Sequence, residues 1–169
     1  MYRLQHGSTQ GLADVAAFLD LLAGARQHPQ PAVRELFTGQ GELVVARAPG
    51  RLDLMGGIAD YSGSLVLQLP IAEATLAAVE RTADGELRIV SLGDDPHRGH
   101  EFRLPLAALW PNGEPLTYAA AQDLFKRDPR GHWAAYAAGT FLVLAREKGL
   151  RFSGGVRLLQ PYRGGPYGD

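Results

Sequence analysis

Apolar residues near the start of the chain recur three and four positions apart. They are Leu12, Val15, Ala16, Leu19, Leu22 and Ala23. This spacing predicts an amphipathic helix over residues 11–27, ended by the two prolines within residues 28–31. A shorter helix is predicted over residues 32–37. We interpret residues 1–40 as a helical arm attached to the rest of the chain.

The chain then changes to short segments that are β-branched or alternate between apolar and polar residues. They cover residues 43–46, 64–71, 75–82, 86–92 and 100–106. Each of these segments is predicted to be a β-strand. Asp84-Gly85 lies between two of them, and both residues tolerate a positive φ, so a hairpin is predicted at that pair.

Helical spacing returns in the last third of the chain. Helices are predicted over residues 117–127 and 129–148, the first capped by Thr117 and the second closed by Gly149. Residues 152–159 fit one more strand. The predicted class is therefore α+β, with a mostly antiparallel sheet and helices segregated after it.

Composition and charge narrow the class of protein. The chain has 169 residues, a formal net charge of -1 and no cysteine. The charge balance excludes the strong basic field of a general nucleic-acid binder, and the lack of cysteine excludes a disulfide framework. Residues 1–10 lack the pattern of a secretory signal, and the longest weakly apolar run, residues 134–145, is too short to cross a bilayer. We expect a cytoplasmic protein without membrane or nucleic-acid partners.

Several common catalytic motifs are absent from the sequence. No Gly-Lys-Ser/Thr phosphate loop, no Gly-x-Gly-x-x-Gly after a strand and no Gly-x-Ser-x-Gly elbow occurs. His97 and His100 lie in a polar turn without a matching partner motif, which favours a solvated loop over a metal site. Residues 160–169 are half Gly and Pro, and disorder is predicted there.

One segment, residues 46–63, places charges between apolar stretches directly after a strand. Arg51, Asp53 and Asp60 are those charges, and glycines flank them. A carboxylate in such a place is costly unless it is solvated or paired. Asp60 in a Gly-flanked turn could accept hydrogen bonds from two adjacent sugar hydroxyls. The alternative, that Arg51 pairs with Asp53 or Asp60 and only fastens a turn, is equally consistent with these residue types.

The same segment resembles the first signature of the galactokinase branch of the GHMP sugar kinases. The matching pattern is Pro49-Gly50-Arg51-x-Asp53-x-x-Gly56-x-x-x-Asp60-Tyr61-x-Gly63. The residues at the variable positions of this pattern are most similar to those of the L-arabinokinase members of that family. Residues 113–118 and 133–140 add to the likeness, which covers about residues 42–159 in all.

The resemblance implies a ribosomal protein S5 domain 2-like α+β fold, here the truncated N-terminal, sugar-binding domain over residues 41–159. It also implies an ATP-dependent kinase, with Mg²⁺, that phosphorylates the anomeric hydroxyl of a sugar. The sugar-binding residues that it implies are Arg51, Asp53, Gly57, Asp60 and Tyr61. Arg51 would lie beside the reacting hydroxyl as a catalytic residue, and Asp60 would hold ring hydroxyls. Trp133 and Tyr136 match positions that pack adenine, although Trp133 also begins the apolar face of its helix.

Two departures from the family pattern shape the expected function. The galactokinase Glu-His pair is Gly57-Ile58 here, which suits L-arabinose, a sugar without the hydroxymethyl group that the Glu contacts. Residues 160–169 match neither the Gly/Ser-rich phosphate loop nor the segment with the catalytic Asp. We therefore expect a truncated or frameshifted fragment with little or no kinase activity. The missing helices would normally cover sheet surface, and two outcomes stay open: that surface is left exposed, or the helices predicted over residues 117–127 and 129–148 cover it. The alternatives are a galactokinase with a variant sugar loop and a non-catalytic sugar- or nucleotide-binding fragment.

Overall fold

The computed structural model describes residues 2, 4–39, 41–56, 62–63, 65–93, 100–129 and 131–161. These residues form four α-helices and five β-strands. The helices are α1 (Ala13–Ala23), α2 (Pro31–Arg34), α3 (Tyr118–Lys126) and α4 (Ala135–Lys148). The strands are β1 (Leu43–Met55), β2 (Leu67–Thr82), β3 (Glu86–Leu92), β4 (Glu101–Pro105) and β5 (Gly155–Pro161). Short 3-10 turns lie at Ala25–Gln27, Leu106–Leu109, Pro111–Gly113 and His132–Ala134.

The strands form one sheet in the order β1-β2-β5-β3-β4. All neighbours in it are antiparallel except β3 and β5, which run parallel. The prediction of an α+β fold with a mostly antiparallel sheet is confirmed. β5 follows the other four strands in the chain and yet lies at the centre of the sheet, so it joins the β1–β2 pair to the β3–β4 pair.

The hairpin predicted at Asp84-Gly85 is wrong, because β5 lies between β2 and β3. The chain does turn at this pair, and Gly85 has a φ of 72°. The two strands then diverge by the width of one strand, and the start of β5 fits into the gap. Gly154 and Gly155 make this possible: a Cβ on Gly154 would lie 2.5 Å from the Thr82 carbonyl oxygen, and one on Gly155 would overlap the Asp84 carboxylate.

The N-terminal helices cover one face of the sheet. Their buried residues are Val15, Phe18, Leu22, Ala25, Val33 and Leu36, and they pack against Leu76, Ala78, Val90 and Leu159 of the strands. The predicted helical arm therefore shares a hydrophobic core with the sheet. Helices α3 and α4 follow β1–β4, as predicted, and β5 comes after them in the chain. Helices α1 and α2 precede the sheet and cover its opposite face.

A buried carboxylate fastens the N-terminal segment to β2. Glu80 has no exposed surface. Its carboxylate accepts hydrogen bonds from the Thr38 amide at 2.7 Å, the Thr38 hydroxyl at 2.7 Å and the Gly39 amide at 3.3 Å. These three hydrogen bonds compensate for the water that the Glu80 carboxylate loses on burial.

The helices α3 and α4 cover the other face. Their cluster includes Phe125, Ala138 and Leu142 and packs on Leu87 and Ile89 of β3. Local sequence signals set the helix ends as predicted. Thr117 accepts a hydrogen bond from the Ala120 amide at 3.2 Å, and Gly149 ends α4 in the left-handed conformation with a φ of 64°.

Several boundaries differ from those predicted. The segments 64–71 and 75–82 form one continuous strand, and the helix predicted from residue 129 begins as a turn at residue 132. Gln160 and Pro161, predicted to be disordered, belong to β5, while residues 162–169 lie outside the described residues. Within the described part of the chain, no helix has the length and apolar character needed to cross a membrane.

Candidate functional site

The candidate site lies on the far end of the β1–β2 pair, which we call the distal ribbon: residues 50–55 of β1 and 67–71 of β2. Arg51 lies opposite Pro70, Leu52 opposite Leu69, and Asp53 opposite Gln68. Side chains alternate between the two faces of a strand. Arg51 and Asp53 therefore share one face of the ribbon, which we call the polar face, and both are exposed.

An arginine at the base of the ribbon positions it. Arg47 lies on the same face of β1 as Arg51, and its Nε donates to Asp14 Oδ2 of α1 at 2.8 Å. Its NH2 group donates to the Ala72 carbonyl at 2.6 Å, where the β1–β2 register shifts. The hydrogen bond from Arg47 lowers the pKa of Asp14 from its ordinary value of 3.8. One guanidinium thus connects α1, β1 and the irregular part of β2 directly below the candidate site.

A glycine allows the ribbon to close tightly at its far end. A Cβ on Gly56 would lie 2.8 Å from Val66 Cγ1 and 2.9 Å from Asp53 Oδ1. Any side chain at this position would push Asp53 or Val66 away, so glycine is required by the close approach. The sequence-predicted residues Gly57, Asp60 and Tyr61 follow directly, and they lie outside the described residues.

The two aromatic residues proposed for the nucleotide lie around the first turn of α4. Trp133 is half-buried and packs against the core cluster of α3 and α4. Tyr136 is 91% exposed. The two rings therefore have different surroundings: the tryptophan contributes to the core, while the tyrosine presents its ring to solvent.

The structure adds features that sequence reasoning missed. Gln68 shares the polar face with Asp53 and offers an amide for hydrogen bonding. Only the pairing of β1 with β2 brings Gln68 opposite Asp53, and no pattern in the sequence indicates that pairing. A cavity of about 510 Å³ lies at the opposite end of α4 from Tyr136, lined by residues that include Trp110, Arg146 and Phe152. No group of three or more His, Asp or Glu side chains suited to a metal is found in the part of the chain that the structure describes.

Comparison with known proteins gives concordant results. The family model for the galactokinase galactose-binding signature matches residues 34–81, which include all of β1 and most of β2. L-arabinokinase from Arabidopsis thaliana is 40% identical over 193 residues, covering 94% of this chain and 19% of that protein. Galactokinase from Canis lupus familiaris is 32% identical over 120 residues, covering 71% of this chain and 26% of that protein.

The fold is also similar to a solved structure. Lactococcus lactis galactokinase complexed with galactose superimposes with a TM-score of 0.57 and 17% identity, over 86% of this chain and 30% of that one. The chain thus spans about a fifth to a quarter of the length of the curated relatives it matches. With its signature, its relatives and its fold in agreement, this chain belongs to the galactokinase and L-arabinokinase branch of the GHMP sugar kinases, of which it represents the N-terminal part.

Proposed function

We propose that these 169 residues form the sugar-binding portion of an ATP-dependent sugar-1-kinase whose substrate is L-arabinose. The observation that carries the proposal is the galactose-binding signature at residues 34–81, because it includes the distal ribbon with Arg51 and Asp53 on one exposed face. The 40% identity to an L-arabinokinase over nearly the whole chain supports the choice of sugar.

The polar face supplies the groups that a sugar requires. A carboxylate accepts hydrogen bonds from hydroxyls, and Asp53 offers such a carboxylate next to the Gln68 amide. Asp60 and Tyr61 follow in the signature and complete the proposed sugar contacts. The Arg51 guanidinium is the proposed catalytic residue, because a fixed positive charge beside the anomeric hydroxyl stabilises the negative charge that develops there during transfer.

The preference between two sugars follows from Gly57-Ile58. L-arabinopyranose has the ring pattern of D-galactopyranose without its hydroxymethyl group. A glycine and an apolar isoleucine leave no hydrogen-bond partner for that group, so galactose loses about 1–3 kcal/mol of binding free energy relative to a site that has one.

ATP and Mg²⁺ are the proposed cofactors. The exposed ring of Tyr136 fits an adenine, since aromatic rings stack favourably and its face is accessible. Trp133 would support it from the core side. When bound, ATP with Mg²⁺ supplies the phosphoryl group and neutralises its charge. The sequence offers no Gly/Ser-rich phosphate loop after β5, so we propose that these 169 residues bind sugar and transfer little or no phosphate by themselves.

Isothermal titration calorimetry on the 169-residue chain tests the sugar proposal. We expect L-arabinose to bind at least tenfold more tightly than D-galactose, and Asp53→Asn to weaken arabinose binding about tenfold, which corresponds to the loss of about 1.4 kcal/mol. Asp123→Asn is the matched control, because Asp123 is an exposed carboxylate on α3. Equal affinities for the two sugars would contradict the arabinose preference, and unchanged binding in Asp53→Asn would contradict the site.

The second candidate is a galactokinase portion with a variant sugar loop, favoured by the family model and by the galactokinase relative. Tighter binding of D-galactose in the same titration would select it. A coupled assay of ADP release separates binding from catalysis. Saturable, sugar-dependent turnover by the 169-residue chain would contradict the proposal that it lacks phosphoryl transfer.

A further inference from the structure

The distal ribbon carries the proposed sugar-binding residues and has little packing of its own. β5 pairs with residues 78–82 of β2, so among the described strands residues 67–77 have β1 as their only neighbour. Residues 51–55 of β1 are all exposed. A two-stranded ribbon with little buried surface is marginally stable in water. The direction in which it presents Arg51 and Asp53 therefore depends on how its base is held.

The base of the ribbon is a bulge in β2. The register of the two strands shifts between Pro49 and Arg51 of β1. There, three residues of β2, residues 71–73, lie opposite the single residue Gly50. A bulge bends its strand, increases the local twist and redirects the side chains next to it. Because Arg51 and Asp53 are the first residues of the polar face beyond the bulge, its shape determines where both of them point.

Arg47 connects this bulge to α1. Its Nη2 donates to the Ala72 carbonyl oxygen, in the middle of the bulge, at 2.6 Å, and its Nε donates to Asp14 Oδ2 at 2.8 Å. A planar guanidinium makes two such bonds at once in fixed directions. The exposed fraction is 21% for the Arg47 side chain and 30% for that of Asp14, so water screens this ion pair less than a fully exposed one.

The other end of this connection is anchored in the core. Asp14 lies in the first turn of α1, and its Oδ1 accepts a hydrogen bond from the Val15 amide at 2.9 Å. Val15 and Phe18 of the same helix are buried in the cluster that includes Leu76 of β2. The bulge is therefore held by a side chain whose partner belongs to a well-packed helix, although the ribbon beyond it is exposed.

We propose that Arg47 and Asp14 are positioning residues for sugar binding. They hold the β2 bulge, and the bulge fixes the direction of Arg51 and Asp53. Groups that bind a ligand must be held within about 0.5 Å of their productive positions by supporting contacts. The inference rests on the proposed sugar function and deepens it, because it makes α1, which lies outside the distal ribbon, a functional part of the site.

A purely structural role of Arg47 has a different consequence. Arg47→Met keeps an unbranched apolar stem and removes both hydrogen bonds. If these bonds only stabilised the fold, the variant would unfold more easily, and its folded molecules would bind sugar as the parent does. If they position the ribbon, the folded variant binds sugar less tightly. The dissociation constant of the folded protein therefore separates the two roles.

Isothermal titration calorimetry on the 169-residue chain, with L-arabinose and D-galactose, tests the proposal on whichever sugar the parent binds more tightly. Arg47→Met is expected to raise the dissociation constant about tenfold, and Asp14→Ala about threefold because Arg47 keeps its bond to Ala72. The double variant is expected to bind no more weakly than Arg47→Met, since Asp14 acts through Arg47.

Arg34→Met is the matched control. Arg34 also donates two hydrogen bonds to backbone carbonyls, those of His28 and Pro29, each at 2.8 Å, but it lies on α2 and not at the ribbon. This variant is expected to keep the affinity of the parent. Circular dichroism and urea unfolding verify that each variant is folded under the conditions of the titration.

The possible failures can be told apart. An unchanged dissociation constant in Arg47→Met, with a lower free energy of unfolding, would assign Arg47 to stability alone and overturn the proposal. It is equally overturned if Arg34→Met loses as much affinity as Arg47→Met, or if the effects of Arg47→Met and Asp14→Ala add in the double variant. A parent chain that binds neither sugar contradicts the proposed function itself, and this inference with it.

Discussion

Glu80→Gln is the most direct test of how the N-terminal helices are held on the sheet. The substitution keeps the shape of the side chain and removes the charge that accepts three hydrogen bonds from Thr38 and Gly39. A hydrogen bond to a charged group contributes about 1.5–3 kcal/mol. Glutamine keeps one acceptor oxygen, but its NH2 group replaces the other oxygen and faces hydrogen-bond donors that it cannot accept from. The free energy of unfolding is therefore expected to fall by about 2–4 kcal/mol.

Urea unfolding followed by far-UV circular dichroism measures this loss. With a slope of about 2 kcal/mol per molar urea, the midpoint is expected to move down by about 1–2 M. Thr38→Val removes the hydroxyl donor alone and is expected to cost about 1–2 kcal/mol, while Thr38→Ser keeps it and serves as the control. The double variant Glu80→Gln with Thr38→Val should be non-additive, since the two groups are in contact. A midpoint for Glu80→Gln within 0.3 M of the parent, at an unchanged slope of about 2 kcal/mol per molar, would refute the reasoning.

Three further predictions follow from local contacts. Asp14→Asn should remove a pH-dependent part of stability, because the hydrogen bond from Arg47 holds the folded-state pKa of Asp14 below 3.8. The parent has this stabilisation above that pH and loses it as the pH falls further. Thermal melts from pH 5 to 2.5 should therefore show a larger loss of stability in the parent than in the variant. Gly155→Ala places a methyl group against the Asp84 carboxylate, and the free energy of unfolding in urea should fall by about 3 kcal/mol or more. Gly139→Ala is the control: its added carbon meets nothing within 4 Å outside its own helix backbone, and the same free energy should rise by about 0.5–1 kcal/mol. Thr117→Ala removes the α3 cap and should cost about 1 kcal/mol, measured in the same way; no change would show that the cap is replaced by water.

Features with a local physical cause could be read from the sequence. Thr117 caps α3 because its side chain meets an amide three residues later, and Gly149 ends α4 because only glycine adopts a positive φ there without strain. β3 has the predicted bounds, residues 86–92, because its apolar run is bounded by turn residues on both sides. None of these depends on what the rest of the chain does.

Features with a non-local cause were missed. The hairpin signal at Asp84-Gly85 describes the turn correctly, but nothing near it in sequence shows that Gly154 and Gly155 occupy the gap between β2 and β3. For the same reason, the shared core of the N-terminal helices was not predicted. Their apolar face is evident in sequence, whereas its partners on β2, β3 and β5 are separated from it by tens of residues.

The candidate site was predicted by motif and is refined by register. The signature identified Arg51 and Asp53, and the pairing of β1 with β2 shows that they share one face with Gln68. The sequence pattern predicted β2 as two segments, residues 64–71 and 75–82, and the β1–β2 register shifts near Ala72 between them. Because strand pairing is not visible in the sequence, the faces of the ribbon could not be assigned from it. The resemblance gave both Trp133 and Tyr136 as adenine contacts, and the helical spacing also placed Trp133 on an apolar face. The structure shows that Trp133 packs against the core and that Tyr136 is exposed.

The central place of β5 has a consequence for the order in which the molecule can assemble. Until residues 155–161 emerge during synthesis, the chain consists of two separate strand pairs, β1–β2 and β3–β4, with no backbone hydrogen bonds of the sheet between them. Both pairs would then expose strand edges that β5 later occupies, at the stage when unpaired edges are most prone to aggregate. Its insertion closes contacts between residues far apart in the sequence, such as Ala78 with Leu159 and Leu87 with Val156, and pairing over such separations is slow. The cellular yield of this protein should therefore depend on how well that interval is protected from intermolecular strand pairing.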